Sequence, residues 1–231
     1  MSGEPPYSSL KFPAMLPLPM GGVIEFTGYT DIVLVAHFTD PNIVSYKAFS
    51  ISRQQHVFIK TCGTKLEDIT KLRHEWKIFQ GLSDSMPGII KPLALETSSR
   101  GLGLVFPWTP EMRPLNSIYL TSSPRISDGS PLIPLDLKTF LDIAAQMANI
   151  LMHLHAAKVI HKNINPKKLL LNSEGEVYIH DFMIASYLER EETSILAKIY
   201  NPKVLEGTLA YLAPENTGRM ELCQIEAFWN V

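Results

Sequence analysis

Apolar residues are concentrated in three short stretches between residues 33 and 60. Residues 33–38, 43–49 and 56–60 are rich in β-branched and aromatic side chains, and turn-forming residues separate them. Short runs of this kind, joined by short turns, are typical of neighbouring antiparallel strands. We therefore predict a three-stranded β-meander in this part of the chain.

In two later segments, apolar residues recur every three or four positions. The first segment, residues 66–82, has apolar side chains at Leu66, Ile69, Leu72, Trp76 and Phe79. The second, residues 137–155, has them at Phe140, Leu141, Ile143, Ala144, Met147, Ile150, Leu151 and Leu154. This spacing predicts two amphipathic helices, each with one apolar face.

Two further strand pairs are predicted from alternation and turn residues. Residues 89–96 and 102–108 flank one turn, and residues 169–172 and 177–180 flank another. Residues 109–135 contain five prolines and are predicted to be a long loop, which inside a domain usually carries function or is mobile. The order of elements indicates a small β-rich lobe followed by a helical lobe.

Composition and charge narrow the class of protein. The chain has 231 residues, 45% hydrophobic and 19% charged, which is typical of a globular protein. Its 21 Lys and Arg against 23 Asp and Glu give a net charge of −2, so bulk charge predicts neither a nucleic-acid nor a membrane partner. Two cysteines, Cys62 and Cys223, suit a reducing, cytoplasmic compartment. No run approaches the roughly 20 apolar residues of a membrane span.

The sharpest chemical signal lies in residues 159–185. His161, Lys162 and Asn163 are followed by Lys168 and then, beyond the predicted hairpin, by Asp-Phe-Met at residues 181–183. This segment resembles the catalytic segment of the eukaryotic-type protein kinases. In that family H-R-D-L-x-x-x-N supplies the base and a metal ligand, and D-F-G supplies the second metal ligand.

Other landmarks of the same family follow in the same order. Lys60 ends a strand that reads VFIK, where the family has V-A-I-K, and Glu75 lies on the first predicted helix. Residues 104–109 resemble the hinge between the lobes, and residues 207–220 contain A-P-E. The resemblance implies that Lys60, Glu75, Val105, Phe106 and Asp181 contact ATP or its phosphates.

The loop HKNINP and the segment GTLAYLAPENTGRM are most similar to the kinase-like domain at the N-terminus of hybrid histidine kinases. The resemblance implies an α+β, two-lobed protein-kinase-like fold. We expect a Pro-rich leader, an N-lobe, the long loop, a partial C-lobe and an atypical tail, at residues 1–22, 23–108, 109–135, 136–220 and 221–231. Because the tail does not resemble the family's continuation, we expect the helical lobe to be truncated after A-P-E.

Three positions depart from the family's catalytic pattern. Asn163 stands at the base position, and a carboxamide is not a usable base near neutral pH. Lys168 stands at a metal-ligand position, although an ammonium cannot ligate Mg²⁺. Met183 replaces the flexible glycine after Phe182. Asp181 is retained, so at most one Mg²⁺ is expected.

These departures predict a pseudokinase with a regulatory or nucleotide-sensing role in a signalling (phosphorelay) protein. Its partners would be ATP, other proteins or other domains of the larger protein. One alternative is an active ATP-dependent serine/threonine kinase, a transferase with very slow chemistry. Another is a nucleotide-independent scaffold, or a truncated chain without function.

Several weaker signals have ordinary explanations. The glycines before the first strands do not form the G-x-G-x-x-G of a phosphate loop: Gly21, Gly22 and Gly28. The histidines of the second helix and the following loop are not predicted to form a zinc site, since no set of partners completes one: His153, His155 and His161. His161 is instead expected to brace the loop and Phe182. Lys162 is expected to face water rather than a phosphorylated residue, for which the candidates are Thr193, Ser194, Tyr200 and Thr208.

Overall fold

The computed structural model describes residues 14–17, 23–37, 42–98, 101–109, 111–119, 135–188 and 208–212. The described chain divides into two units. The first contains the residues up to Ser85 together with Ile89–Glu111, and the second contains Met86–Gly88 and the residues from Met112 onward.

Antiparallel strands and one long helix make up the described part of the first unit. The strands are β1 (Ala14–Pro17), β2 (Val23–Phe26), β3 (Tyr29–His37), β4 (Ile43–Ser50), β5 (Gln55–Cys62), β6 (Ala94–Ser98) and β7 (Gly101–Pro107). The helix is α1 (Leu66–Gln80). Strands β3 to β7 form one five-stranded sheet in the order β3-β4-β5-β7-β6.

The predicted meander is confirmed, since β3, β4 and β5 are consecutive antiparallel neighbours. The second predicted strand pair is also present as β6 and β7, although β6 begins at Ala94. Strand β1 lies inside the predicted leader and pairs with β2. The core on one face of the sheet is built from side chains that alternate along the strands: Tyr29, Val44, Tyr46, Ala48, Val57, Ile59 and Val105.

Helix α1 buries only part of the face that its apolar residues predicted, including Leu72 and Phe79. Leu66 is 77% exposed, whereas the buried positions include two carboxylates, Asp68 and Glu75. The buried residues Leu72, Glu75 and Phe79 are spaced three and four apart and share one face of the helix. The apolar pattern therefore predicted only part of the packed face, because a carboxylate also belongs to that face.

The second unit contains shorter elements. Its described strands are β8 (Arg113–Pro114), β9 (Val159–Ile160), β10 (Leu169–Leu171), β11 (Val177–Ile179) and β12 (Ser186–Tyr187). Its helices are α2 (Leu115–Ile118) and α3 (Leu137–Ala156), and Leu209–Tyr211 form a 3-10 turn. The predicted hairpin is confirmed as β10 and β11, and β8 adds a third strand to it.

Helix α3 begins where Asp136 caps it. The Asp136 carboxylate accepts a hydrogen bond from the Thr139 amide at 3.0 Å, which satisfies one of the free amides at a helix start. Its buried residues, Ile143, Ile150 and Leu154, form a narrower stripe than predicted. The other predicted apolar positions include Phe140 and Leu141, which are 50% and 55% exposed.

Several predictions lie outside the described residues. These include Gly21 and Gly22, most of the long loop, three of the four candidate phosphorylation sites, the A-P-E triplet and the tail at residues 221–231. Within the part of the chain that the structure describes, no helix combines the length and the hydropathy needed to cross a membrane.

Candidate functional site

Lys60 and Glu75 form a buried ion pair in the first unit. Lys60 lies near the end of β5 and Glu75 lies on α1, and the Lys60 Nζ donates to Glu75 Oε2 at 2.7 Å. Lys60 is 4% exposed and Glu75 is fully buried. The contact explains why α1 turns a carboxylate toward the sheet, because a buried ammonium needs an anionic partner.

Aromatic rings fill the same face of the sheet beside this pair. Phe58 and Phe106 are opposite each other on β5 and β7, with ring centroids 6.1 Å apart. Phe79 of α1 packs on Phe106 at 5.8 Å. Phe106 is half-buried, whereas Val105 is fully buried in the core on the other face. The Val105 side chain is therefore not available to a ligand.

In the second unit, His161 packs against Phe182. Their rings meet edge to face with centroids 4.7 Å apart, and a ring nitrogen of His161 lies 3.2 Å from the His180 carbonyl oxygen. Phe182 is fully buried and His161 nearly so. The expectation that His161 braces the loop and Phe182 is confirmed.

Asn163 is held by hydrogen bonds from neighbouring polar side chains. Its carboxamide oxygen accepts from the Thr208 hydroxyl at 2.9 Å and from the Asn165 Nδ2 at 3.2 Å. Asn165 is 4% exposed, and its own carboxamide oxygen accepts from the Lys167 amide at 3.0 Å. The side-chain oxygen at the base position is therefore engaged as an acceptor by two donors of the chain.

Lys168 and Asp181 form a second buried ion pair. The Lys168 Nζ contacts Asp181 Oδ2, and the two side chains are 2% and 3% exposed. The hairpin β10–β11 brings them together, because Lys168 immediately precedes β10 and Asp181 lies two residues after β11. Among the predicted site residues that the structure describes, it thus joins Lys168 to Asp181 and Lys60 to Glu75.

The backbone at Asp181 is left-handed, with φ of 72°. Non-glycine residues adopt this region only at a cost. Met183 is not among the described residues with positive φ, so its backbone does not need the conformational freedom of glycine.

Gly28 lies at a turn between β2 and β3 and has φ of 97°. Its carbonyl oxygen accepts from the Ile51 amide at 2.9 Å. The next connection, between β3 and β4, is residues 38–42, FTDPN, and contains no glycine. The sequence there cannot supply a glycine-rich phosphate loop.

Metal-ligating residues do not cluster in the described part of the chain. Among those residues, no group of three or more His, Cys, Asp and Glu side chains has an arrangement that could hold a metal ion. A groove of about 640 Å³ in the second unit is lined in part by Thr139, Gln146 and Gly175. It contains none of the predicted site residues.

Sequence reasoning missed two of these contacts. The sequence signal for the Lys168–Asp181 pair was a lysine at a metal-ligand position together with an aspartate on the far side of the predicted hairpin. The ring cluster was signalled by Phe58 at the position where the V-A-I-K motif has alanine.

The strand order, the Lys60–Glu75 pair and the His161–Phe182 contact are those of a protein-kinase-like domain. The family model described as "Protein kinase domain" matches residues 42–229. This match covers more than half of the chain, so the chain belongs to the protein kinase family.

Curated relatives come from several kinds of kinase. A receptor-like protein kinase of Ipomoea nil is 36% identical over 94 residues, which are 39% of this chain and 8% of that protein. Mitogen-activated protein kinase kinase 9 of Arabidopsis thaliana is 40% identical over 72 residues, 31% of this chain and 21% of that protein. Hybrid signal transduction histidine kinase G of Dictyostelium discoideum is 32% identical over 82 residues, 36% of this chain and 2% of that protein. The chain thus spans only a small part of each relative.

Proposed function

We propose that this protein kinase domain is a pseudokinase, which regulates a signalling protein without transferring phosphate. The observation that carries the proposal is the buried contact between the Lys168 ammonium and the Asp181 carboxylate. In the family's motifs, these two positions supply the protein ligands for Mg²⁺.

The residues at these positions do not fit a magnesium ion. Mg²⁺ requires oxygen donors in a near-octahedral shell, and an ammonium has no lone pair to offer. The charge of Lys168 also repels a second cation at the Asp181 oxygen that it contacts. Lys168 therefore neutralises the charge of Asp181, as a metal ion would.

The base position supports the same proposal. A carboxylate there would accept or orient the proton of the substrate hydroxyl. The Asn163 oxygen already accepts hydrogen bonds from Thr208 and Asn165, and a carboxamide has negligible basicity near neutral pH. Loss of a general base costs about 10²–10⁴ in rate.

A regulatory role requires partners. The similarity to hybrid histidine kinases, including the Dictyostelium protein, supports a role beside phosphorelay domains of a longer signalling protein. In that role the domain would act through protein contacts and not through its own chemistry.

A transfer assay tests the proposal. Purified protein is incubated with γ-labelled ATP, Mg²⁺ and a general acceptor protein, beside Asp181→Ala and the double variant Asn163→Asp/Lys168→Asn. We expect transfer by the unmodified protein to equal the Asp181→Ala background. Transfer at about 1–100 s⁻¹, the ordinary range for kinases, and its loss in Asp181→Ala would overturn the proposal. The double variant shows whether the two departures are the only barriers.

A further inference from the structure

We propose that Phe58 closes the side of Lys60 on which a nucleotide base would lie, so that the first unit does not take up adenine nucleotides. Phe58 is then the residue that decides ligand specificity at this face. The inference deepens the proposed pseudokinase function and rests on it for its biological meaning, but it is tested by binding and not by phosphate transfer.

Register and ring contacts place Phe58 on the same face of the sheet as Lys60. Side chains of one strand alternate between faces, and the two residues are two positions apart on β5. Phe58 is opposite Phe106 and Lys60 is opposite Leu104, with no shift in register between them. Helix α1 covers this face with Glu75 on Lys60 and, one turn later, Phe79 on Phe106.

Among the described residues around Lys60, the packing on this face is loosest in one direction. Its cross-strand neighbours Ser45 and Leu104 are fully buried, and so is Cys62, the next residue on the same face of β5. Phe58 and Phe106, in the opposite direction, are only half-buried. A ligand whose phosphates reached Lys60 would therefore extend its base over Phe58.

The ring of Phe58 occupies that direction. The family motif V-A-I-K has alanine at this position, and a benzyl group replaces a methyl group here. The ring meets Phe106 edge to face at an interplanar angle of 61°, and Phe106 meets Phe79 at 77°. A flat base would have to displace one of these packed rings. This is unfavourable, because packed side chains resist added volume.

The neighbouring loop gives an independent reason. A phosphate is held closely where glycines allow backbone amides to approach it. The connection between β3 and β4 has the sequence FTDPN, and this sequence lacks the glycines that such an approach needs.

Binding of labelled ATP, measured by equilibrium dialysis with EDTA and again with Mg²⁺, tests the inference. The variant Phe58→Ala should bind ATP at least about tenfold more tightly than the unmodified protein, a change of about 1.4 kcal/mol. Phe49→Ala is the matched control, since Phe49 is also half-buried and lies on the same face of the sheet, on the neighbouring strand β4 and further from Lys60. That variant should not gain affinity.

Equal ATP affinity in the unmodified protein and in a cooperatively melting Phe58→Ala overturns the inference. If Phe58→Ala does not fold, the unmodified protein is titrated with ATP and with inorganic tripolyphosphate, which has no base. ATP binding tighter than tripolyphosphate overturns the inference, and ATP binding no tighter supports it. Phosphate transfer by the unmodified protein would instead contradict the proposed function, so the two failures are distinguishable.

Discussion

In the part of the chain that the structure describes, a lysine and a carboxylate form a buried pair in each of the two units. In the first unit Lys60 and Glu75 have side-chain exposures of 5% and 1%, and in the second Lys168 and Asp181 have 2% and 3%. The first pair is the one that active kinases assemble. The second puts a cation where active kinases place a metal ligand. A lysine–carboxylate contact is thus a retained family feature in the first unit. In the second unit it replaces a feature of the family.

The difference teaches that burial and pairing alone do not identify a catalytic site. A buried ion pair contributes little net stability, since the loss of hydration offsets the attraction. What such a pair means for function depends on the role that each of the two groups has in the family's motifs. Lys60 keeps the partner that its family gives it, whereas Asp181 is paired with a lysine at a position where the family's motif has a metal ligand.

The two pairs also differ in their backbones. Lys60 and Glu75 lie in a regular strand and a regular helix. Asp181 has φ of 72°, in the left-handed region, where most side chains are strained. The second pair is therefore harder to replace by apolar residues than the first.

The largest expected effect is on removal of one member of a pair. Lys168→Ala and Glu75→Ala each leave an opposite charge buried, and each should lower the free energy of unfolding by about 3–5 kcal/mol. Urea denaturation followed by circular dichroism measures the loss. A loss of under about 1 kcal/mol in either variant would show that water reaches the remaining charge, and would remove the basis for comparing the pairs.

Replacement of both members sharpens the comparison. Lys60→Met with Glu75→Leu removes both charges together and should recover most of the loss, because matched apolar replacements of buried pairs are often neutral. Lys168→Met with Asp181→Leu should remain about 1–3 kcal/mol less stable than the unmodified protein, since leucine is strained at positive φ. A matched Lys168→Met/Asp181→Gly variant should lie closer to the unmodified protein, and the opposite order would contradict the role of the backbone.

Much of this comparison was predictable from the sequence, but not all of it. The strands β3 to β7, the helices α1 and α3 and the hairpin β10–β11 were predicted from sequence patterns, whereas β8 and α2 lie within residues predicted to be a loop. The family's motifs singled out Lys60, Glu75 and Asp181. The partner of Lys168 did not, because it depends on the register of a hairpin that brings residues 168 and 181 together.

The prediction of the packed face of α1 was incomplete for a related reason. Periodicity counts apolar residues, so it favoured Leu66, which is exposed, and passed over Glu75, which is buried. A buried charge is stable only with its partner, and that partner lies on a strand. Sequence patterns within one helix carry no information about such a partner.

The smallest expected effect concerns a third charged pair, which is only partly buried. Arg53 and Glu96 are 3.2 Å apart with side chains 28% exposed, and the Tyr29 hydroxyl donates to Glu96 at 2.7 Å. Glu96→Gln should lower stability by about 1 kcal/mol or less, because water compensates for the lost charge. Asp142→Asn, which breaks an exposed pair with Lys138 on α3, is the control and should leave the urea midpoint unchanged.

The same variant has a signature in alkaline solution. Burial, and then the hydrogen bond to Glu96, raise the pKa of Tyr29 far above its ordinary value. The unfolded chain therefore loses this proton first, so this contribution to stability is present below about pH 10 and is lost as the pH rises further. Tyr29→Phe should make the loss shallower, since it removes the titrating group, whereas Glu96→Gln should keep most of the slope, since burial is the larger cause of the raised pKa. Urea midpoints measured from pH 8 to 11 follow both variants. A slope in Glu96→Gln as shallow as that in Tyr29→Phe would mean that the charge of Glu96, and not burial, keeps the Tyr29 proton in the folded state.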